Sequence, residues 1–246
     1  MLLSVVIPFF NESTNVSAVA EPLVLALRQA GISYELVLVD NGSWDDTRQH
    51  IHATVAKHPE ARLVVVERNH GYGWGILEGL RHARGDVLGF IMGDGQVKPE
   101  SVVRVYQTLI QENLEFCKGT RVVRYDGWQR VLLTRWGNRL FRLCFPTLKT
   151  SDINGTPKLF TRRLYEQMKP RSTDWFLDAE LVIKASTARV AMGEVPVESP
   201  PRQLGRSHVN WGTVMEFLWN LLRYRVNGLH RCPMPAANPR TSTTSS

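Results

Sequence analysis

Four short stretches of this 246-residue sequence place carboxylates or amides directly after an apolar run: Pro8-Phe-Phe-Asn11-Glu12, Asp40-Asn-Gly-Ser43-Trp-Asp45-Asp46-Thr47, Asn69-His-Gly71 and Met92-Gly93-Asp94-Gly95-Gln96. A carboxylate such as Asp40 can accept a hydrogen bond from the imino group of a nucleobase, and Glu12 or Asp45 can hold base or ribose donors. Asp94 stands between two glycines, which leaves backbone room for a diphosphate and its hard cation, while Gln96 offers a neutral oxygen ligand. Such a cation offsets charge building on a departing diphosphate. Taken singly, each stretch also suits an ordinary turn, with Ser43, Asp45 or Thr47 capping the next helix. Four in succession favour a ligand site over four unrelated turns.

The apolar runs at 3–7, 35–39, 62–66 and 86–92 are short and rich in Val, Ile and Leu, as buried parallel strands are. Between them Val16, Val19, Leu23 and Leu27 recur at helical spacing, and 47–57 and 74–84 are long enough for helices. Pro22 falls inside the first pattern and predicts a kink or a restart. Alternating strand and helix means βαβ units on a parallel sheet, whose ligands bind beyond the carboxyl ends of the strands. Gly71-Tyr-Gly-Trp-Gly75 is not GxGxxG and follows the third run rather than the first, which argues against a dinucleotide fingerprint. Beyond Pro99 the spacing predicts a helix over 101–112, a strand over 116–123 and a basic amphipathic helix over 130–143. A further amphipathic helix over 212–226 has Glu216, Asn220, Arg223 and Asn227 along one polar line, and is too short and polar to span a bilayer. The division expected is a single domain over 1–231, with a nucleotide-binding half to about 100 and an acceptor half after it. The Pro-, Ser- and Thr-rich stretch 232–246 reads as a disordered tail.

A 43% hydrophobic fraction with 22% charge excludes a largely disordered or collagen-like chain. Lys and Arg number 30 against 23 Asp and Glu, a net +7 that favours anionic partners. The arginines are dispersed and aromatics do not alternate with a basic stripe, which argues against nucleic acid. Three cysteines, Cys117, Cys144 and Cys232, lack metal-ligand spacing, so neither a disulfide framework nor a structural zinc site is expected. The first segment reads as a buried strand rather than a signal peptide. Sequons at Asn11, Asn15, Asn41 and Asn154 read as loop chemistry, and the default location is cytoplasmic.

The segments SVVIPFFNE, ELVLVDNGSWDDT, NHGYGWGILEGLRHARGDV, IMGDGQVKPE and KGTRVV, in this order and at these separations, resemble the family 2 glycosyltransferases. SDINGTPKLFTRR and MGEVPVESPPRQLGRS continue the likeness to about Leu222 and narrow it to transferases that use polyprenyl (dolichyl-like) phosphates. The resemblance implies an α/β GT-A fold, a Rossmann-like and mostly parallel sheet with helices on both faces. It also implies a nucleotide-diphosphate sugar donor and a divalent cation, Mg2+ or Mn2+. By the same resemblance Pro8, Asn11, Glu12, Asp40 and Asp45 match positions that hold the nucleoside, and Asp94 and Gln96 the metal side. Arg121, Arg130 and Arg202 look like the arginines that meet phosphates, a task suited to a planar fork that stays charged. Asp152 joins Arg121, Arg130 and Asp94 in the expected catalytic set. Asp152, Asp178 and Glu180 are expected to orient sugar hydroxyls or the acceptor platform, and for the last two a helix start enriched in acids is an equal explanation.

The sequence departs from the family pattern at three places. Met92 occupies the first position of the Asp-x-Asp metal motif, and a thioether binds a hard cation poorly. Lys158, in Gly155-Thr-Pro-Lys158, replaces an arginine, and His208 replaces a lysine. The activity expected is inverting transfer of a hexosyl unit to a polyprenyl phosphate, at a membrane surface or with a membrane subunit, with weak metal use. The alternatives are a non-lipid acceptor or nucleotide-sugar binding without catalysis.

Overall fold

The computed structural model describes residues 1–123, 145, 150, 152–198 and 211–227. The helix expected over 130–143, Arg130, Arg202, His208 and the stretch 232–246 lie outside the described residues. Seven strands form one sheet: β1 (Leu3–Phe9), β2 (Tyr34–Asn41), β3 (Ala61–Val66), β4 (Val87–Phe90), β5 (Phe116–Val123), β6 (Lys158–Thr161) and β7 (Met192–Glu198). Their order is β3-β2-β1-β4-β6-β5-β7. The first four strands are parallel, β5 and β7 are parallel to each other, and β6 runs antiparallel between β4 and β5. Sequence pattern did not reveal β6, because four residues carry too little periodicity. Pro196 lies in β7, an edge strand, where a missing N–H costs no ladder bond.

Helices α1 (Asn15–Gln29), α2 (Thr47–Lys57), α3 (Tyr72–His82), α4 (Pro99–Gln111), α5 (Arg162–Met168), α6 (Leu177–Thr187) and α7 (Trp211–Val226) complete the described elements. Side chains alternating along β1 and β2 feed two cores. Leu3, Val5, Ile7, Leu36 and Leu38 pack with α1, α2 and α4, while Val6, Val37 and Val39 pack with α3 and α6. Both faces are therefore covered, as the continuous apolar runs require.

Of the kink or restart expected at Pro22, the restart does not occur, because α1 runs as one helix through it. Pro22 and Ala18 are both exposed, so the Ala18 carbonyl that loses its helical partner faces water. α3 begins two residues before the expected start, because the Thr173 carbonyl accepts the Trp74 N–H at 3.0 Å and so serves its first turn. It ends earlier too, where Glu35 and Ser4 hold the N–H groups of Arg84 and Gly85 (2.5 and 2.7 Å) and turn the chain into β4. The polar line on α7 is broken, since Asn220 is half-buried and donates to Asp174. Leu221 and Tyr224 face the core, whereas Trp219, Leu222 and Val226 are exposed.

α3 lies so close to the sheet that a β-carbon at Gly79 would overlap the Val6 and Val39 methyls. Gly79→Ala should therefore destabilise by about 1–3 kcal/mol, although alanine gains about 1 kcal/mol of helix propensity. Urea unfolding of the two proteins measures the difference, and an unchanged or raised midpoint would show that the contact relaxes freely.

Candidate functional site

Parallel register brings the polar ends of β1 and β2 together, with Phe9 opposite Asp40. Beyond them, the two loops are laced by side chains. Asn11 adopts a left-handed conformation (φ 53°). Its N–H donates to the Ser43 hydroxyl (3.1 Å) and its amide oxygen accepts the Trp44 N–H (3.0 Å). The Glu12 N–H donates to Thr47 Oγ1 (2.9 Å), and the Glu12 carboxylate accepts the Asn15 amide (2.5 Å). Asp45 accepts the Ser13 N–H (3.4 Å) together with the N–H and hydroxyl of Thr47 (3.0 and 2.5 Å). Burial pushes the Asp45 carboxyl up, but the bonds from Thr47 and Ser13 outweigh it and hold the group below the usual carboxylate value. Asp40 is wholly buried and accepts the Ser43 N–H (3.0 Å) and Arg48 Nε (2.7 Å). On the rim, Trp44 is 81% exposed and meets Phe10 edge-on at 5.1 Å.

The Asp94 turn adjoins this pair of loops. A β-carbon at Gly93 would strike Phe9 and the Pro8 carbonyl, so only glycine lets the chain pass the end of β1. Asp94 is half-buried and accepts the Gln96 N–H at 3.1 Å across Gly95, whose φ is +73°. Met92 is also half-buried. Among the described residues no three His, Cys, Asp or Glu side chains cluster as a metal cage. One carboxylate and one amide oxygen fit a hard cation that draws its other ligands from a diphosphate and water, as Mg2+ sites with one or two carboxylates do.

On the other side of the sheet centre, Arg121 on β5 forks onto Asp152, with Nε–Oδ2 at 2.8 Å and Nη2–Oδ1 at 2.9 Å. Behind them Lys118 is buried, donating to the Asp152 carbonyl (2.5 Å) and pairing with Glu194 (3.0 Å). Burial pushes the Lys118 ammonium below its ordinary value, and Glu194 works against that shift. Lys158 on β6 has no exposed surface. It donates to the Gly155 carbonyl (2.9 Å), pairs with Asp178 and stands 5.7 Å from the Phe90 ring centre. Asp178 also accepts the Tyr72 hydroxyl at 3.1 Å. Glu180, 1% exposed, accepts the N–H groups of Arg171 and Ser172 and meets Lys184 and Tyr224. Both acids are thus internal anchors, which a helix start enriched in acids does not by itself explain.

The sequence model of the family described as glycosyl transferase family 2 matches residues 4–169. The chain belongs to that family. This family 2 chain is 25% identical over 209 residues to a dolichyl-phosphate β-glucosyltransferase from Trichomonas vaginalis, covering 78% of the chain and 62% of the relative. It is 27% identical over 225 residues to an undecaprenyl-phosphate 4-deoxy-4-formamido-L-arabinose transferase from Sodalis glossinidius, covering 89% and 66%. The chain thus spans less than two thirds of the length of each of these relatives. Glucosyl-3-phosphoglycerate synthase from Mycobacterium tuberculosis, solved with Mn2+, UDP and glucosyl-3-phosphoglycerate, superposes with a TM-score of 0.70 at 21% identity over 96% of this chain and 81% of that one. Mannosyl-3-phosphoglycerate synthase from Rubrobacter xylanophilus gives 0.73 at 18% identity, over 97% and 78%. The fold is the expected GT-A fold.

Of the positions carried over from the family, Pro8 and Asp40 lie at the ends of β1 and β2, Asn11, Glu12 and Asp45 lie on the laced loops that follow, Asp94 and Gln96 lie on the turn against the end of β1, and Arg121 and Asp152 are in contact. Sequence reasoning missed Lys118 and Tyr72. A lysine inside an apolar strand, Phe116-Cys-Lys118-Gly, was the available signal for the first; Tyr72 was hidden in a glycine run read only for its spacing.

Removing one partner of a buried ion pair strands the other, so Lys158→Ala should cost about 3–5 kcal/mol. Adding Asp178→Ala should cost less than the sum of the single losses, as urea titration of the cycle would show; strict additivity would mean the pair is not coupled. Burial raises the Glu180 carboxyl but Lys184 and Ser172 more than compensate, leaving it below its ordinary 4.5. Its contribution is therefore present above that value and lost as pH falls through the lower folded one. Between pH 6 and 3.5 the wild type should lose more stability than Glu180→Gln, and equal slopes in chemical denaturation would contradict this.

Proposed function

We propose that this chain, as one catalytic unit over residues 1–231, moves a hexosyl unit from a nucleotide-diphosphate sugar to a polyprenyl phosphate with inversion at the anomeric carbon. The observation that carries the reading is the Asp94 turn lying against the end of β1, beside loops whose carboxylates are already fixed. The curated relatives, named for dolichyl and undecaprenyl phosphates, support the acceptor class. The neighbour solved with Mn2+ and UDP supports a nucleotide and a divalent cation.

In this reading Asn11, Glu12, Asp40 and Asp45 shape the nucleoside pocket at little reorganisation cost, because their own hydrogen bonds hold them before the donor arrives. Arg202 meets donor phosphate. Asp152 fixes the plane in which Arg121 presents its donors, and Arg121 with Arg130 aims the acceptor phosphate. That phosphate is an anion at neutral pH, so its oxygen attacks the anomeric carbon without a strong protein base. The bond from that carbon to the diphosphate breaks as the new one forms, and the electron pair leaves with the diphosphate. A cation held by Asp94 and Gln96 would supply charge compensation at the leaving group.

No described helix is long and apolar enough to cross a membrane. The outward face of α7 carries Trp219, Leu222 and Val226 beside the exposed Arg223 and Arg225, a pattern that suits the surface of an anionic bilayer on its cytoplasmic face. Met92 favours a second reading, nucleotide-sugar binding without transfer, and an assay of sugar transfer to polyprenyl phosphate decides between the two.

Asp94→Asn should lower transfer at least about a hundredfold, the scale of losing one transition-state charge stabiliser. Activity within a few fold of the parent would misplace the site. Met92→Asp should lower the concentration of Mn2+ needed for half-maximal rate, and an identical requirement in both proteins would remove position 92 from the metal side. Wild-type protein should co-sediment with anionic vesicles at low salt and release at high salt, with Trp219→Glu weakening binding; wild type that stays in the supernatant throughout would refute the α7 surface.

A further inference from the structure

Residues 171–176 run between α5 and α6, and their backbone is held from three directions. From α6, Glu180 accepts the N–H groups of Arg171 (3.0 and 3.1 Å) and Ser172 (2.7 Å). From α7, Asn220 donates its amide to Asp174 (2.5 Å), and the Tyr224 hydroxyl donates to Glu180 (3.2 Å) while its ring leans on Phe176 at 5.2 Å. From α3, the Trp74 N–H donates to the Thr173 carbonyl (3.0 Å), and the backbone of 172–174 lies so close that a β-carbon at Gly71 or Gly73 would overlap its oxygens. Between these last two glycines sits Tyr72. Its ring stacks on Trp175 at 4.4 Å and 10°, and its hydroxyl donates to Asp178. Burial, then Asp178, then the Asp94 charge push that hydroxyl well above its ordinary pKa.

A continuous set of contacts therefore links the last described helix to Tyr72, whose neighbour Gly71 accepts the Asn41 amide N–H at the end of β2 through its carbonyl (3.0 Å). We propose that 171–176 is a positioning strap, through which Asn220 and Tyr224 of α7 set Tyr72 against the diphosphate end of the donor site and so set donor affinity. The inference rests on the nucleotide-sugar reading above. Neither α7 side chain is required to touch the donor. Glu180 keeps two backbone donors and Lys184 when Tyr224 loses its hydroxyl, so the effect of that change is a looser strap rather than a stranded buried charge. Altering either α7 side chain removes no group that meets the donor, so the affinity lost should be a modest factor rather than the whole of binding.

The test titrates the full chain with UDP and with GDP in the presence of Mn2+ and follows heat of binding. Tyr224→Phe and Asn220→Ala are each expected to weaken the better-bound nucleotide about 3–10-fold, while the exposed Glu166→Ala stays within about twofold. The strap is expected to act through Tyr72, so Tyr224→Phe combined with Tyr72→Phe should lose less than the product of the single losses; a purely structural loss would multiply. Nucleotide bound equally well by wild type and both α7 variants, or fully multiplicative losses, would overturn the strap and leave the donor reading standing. Wild type that binds neither nucleotide would overturn the donor reading and the strap with it. Asn220 is half-buried and its removal strands no charge, so Asn220→Ala carries the comparison should Tyr224→Phe fail to fold.

Discussion

A lysine without exposed surface stands in the middle of the sheet, and its charge has to be met. Lys158 lies on the strand that reverses direction between β4 and β5. Its ammonium is answered by Asp178 at the start of α6, by the Gly155 carbonyl and by the face of Phe90. An unpaired charge there would cost several kcal/mol, so α6 must sit where Asp178 can reach. That placement also brings Asp178 to Tyr72 and Trp175 to the Tyr72 ring, fixing the start of α3. One electrostatic requirement in β6 thereby sets the arrangement of elements far apart in sequence.

The two halves of the site are built in different ways. On the β1 and β2 side, Asn11, Glu12, Asp40 and Asp45 spend hydrogen bonds on each other's loops, so their polar groups are already partnered. On the β5 side, the Arg121–Asp152 fork is backed by buried Lys118 and Glu194, a set of alternating charges. The Asp94 turn lies between, where Gly93 lets the chain pass against Pro8. A wall of fixed, hydrogen-bonded acceptors suits the donors of a nucleoside, and a held guanidinium plane suits phosphate.

The parallel half was legible because buried strands of four or more apolar residues announce themselves, and because polar residues after each run could be placed at one sheet edge. The limits of those elements were less so. α3 starts early because Thr173, a hundred residues away, satisfies its first turn, and no local pattern contains that partner. Asn220 looked solvent-facing by helical spacing, yet Asp174 draws it inward. Likewise Lys158 read only as a lysine in place of a family arginine, whereas its burial against Asp178 makes it internal. Tertiary partners decide such residues, and composition carries no record of them.

In the proposed reaction the laced loops of β1 and β2, the Asp94 turn and the Arg121 plane together pass a sugar to a lipid phosphate. The most direct measurement incubates the full chain with radiolabelled UDP-glucose or GDP-mannose, Mn2+ and vesicles containing polyprenyl phosphate, then counts label in the organic extract. The account predicts lipid-extractable label from at least one donor, with the anomeric configuration inverted and little label on water-soluble phosphorylated acceptors. Label that appears only on water-soluble acceptors, or nucleotide binding with no transfer to any acceptor, would contradict it.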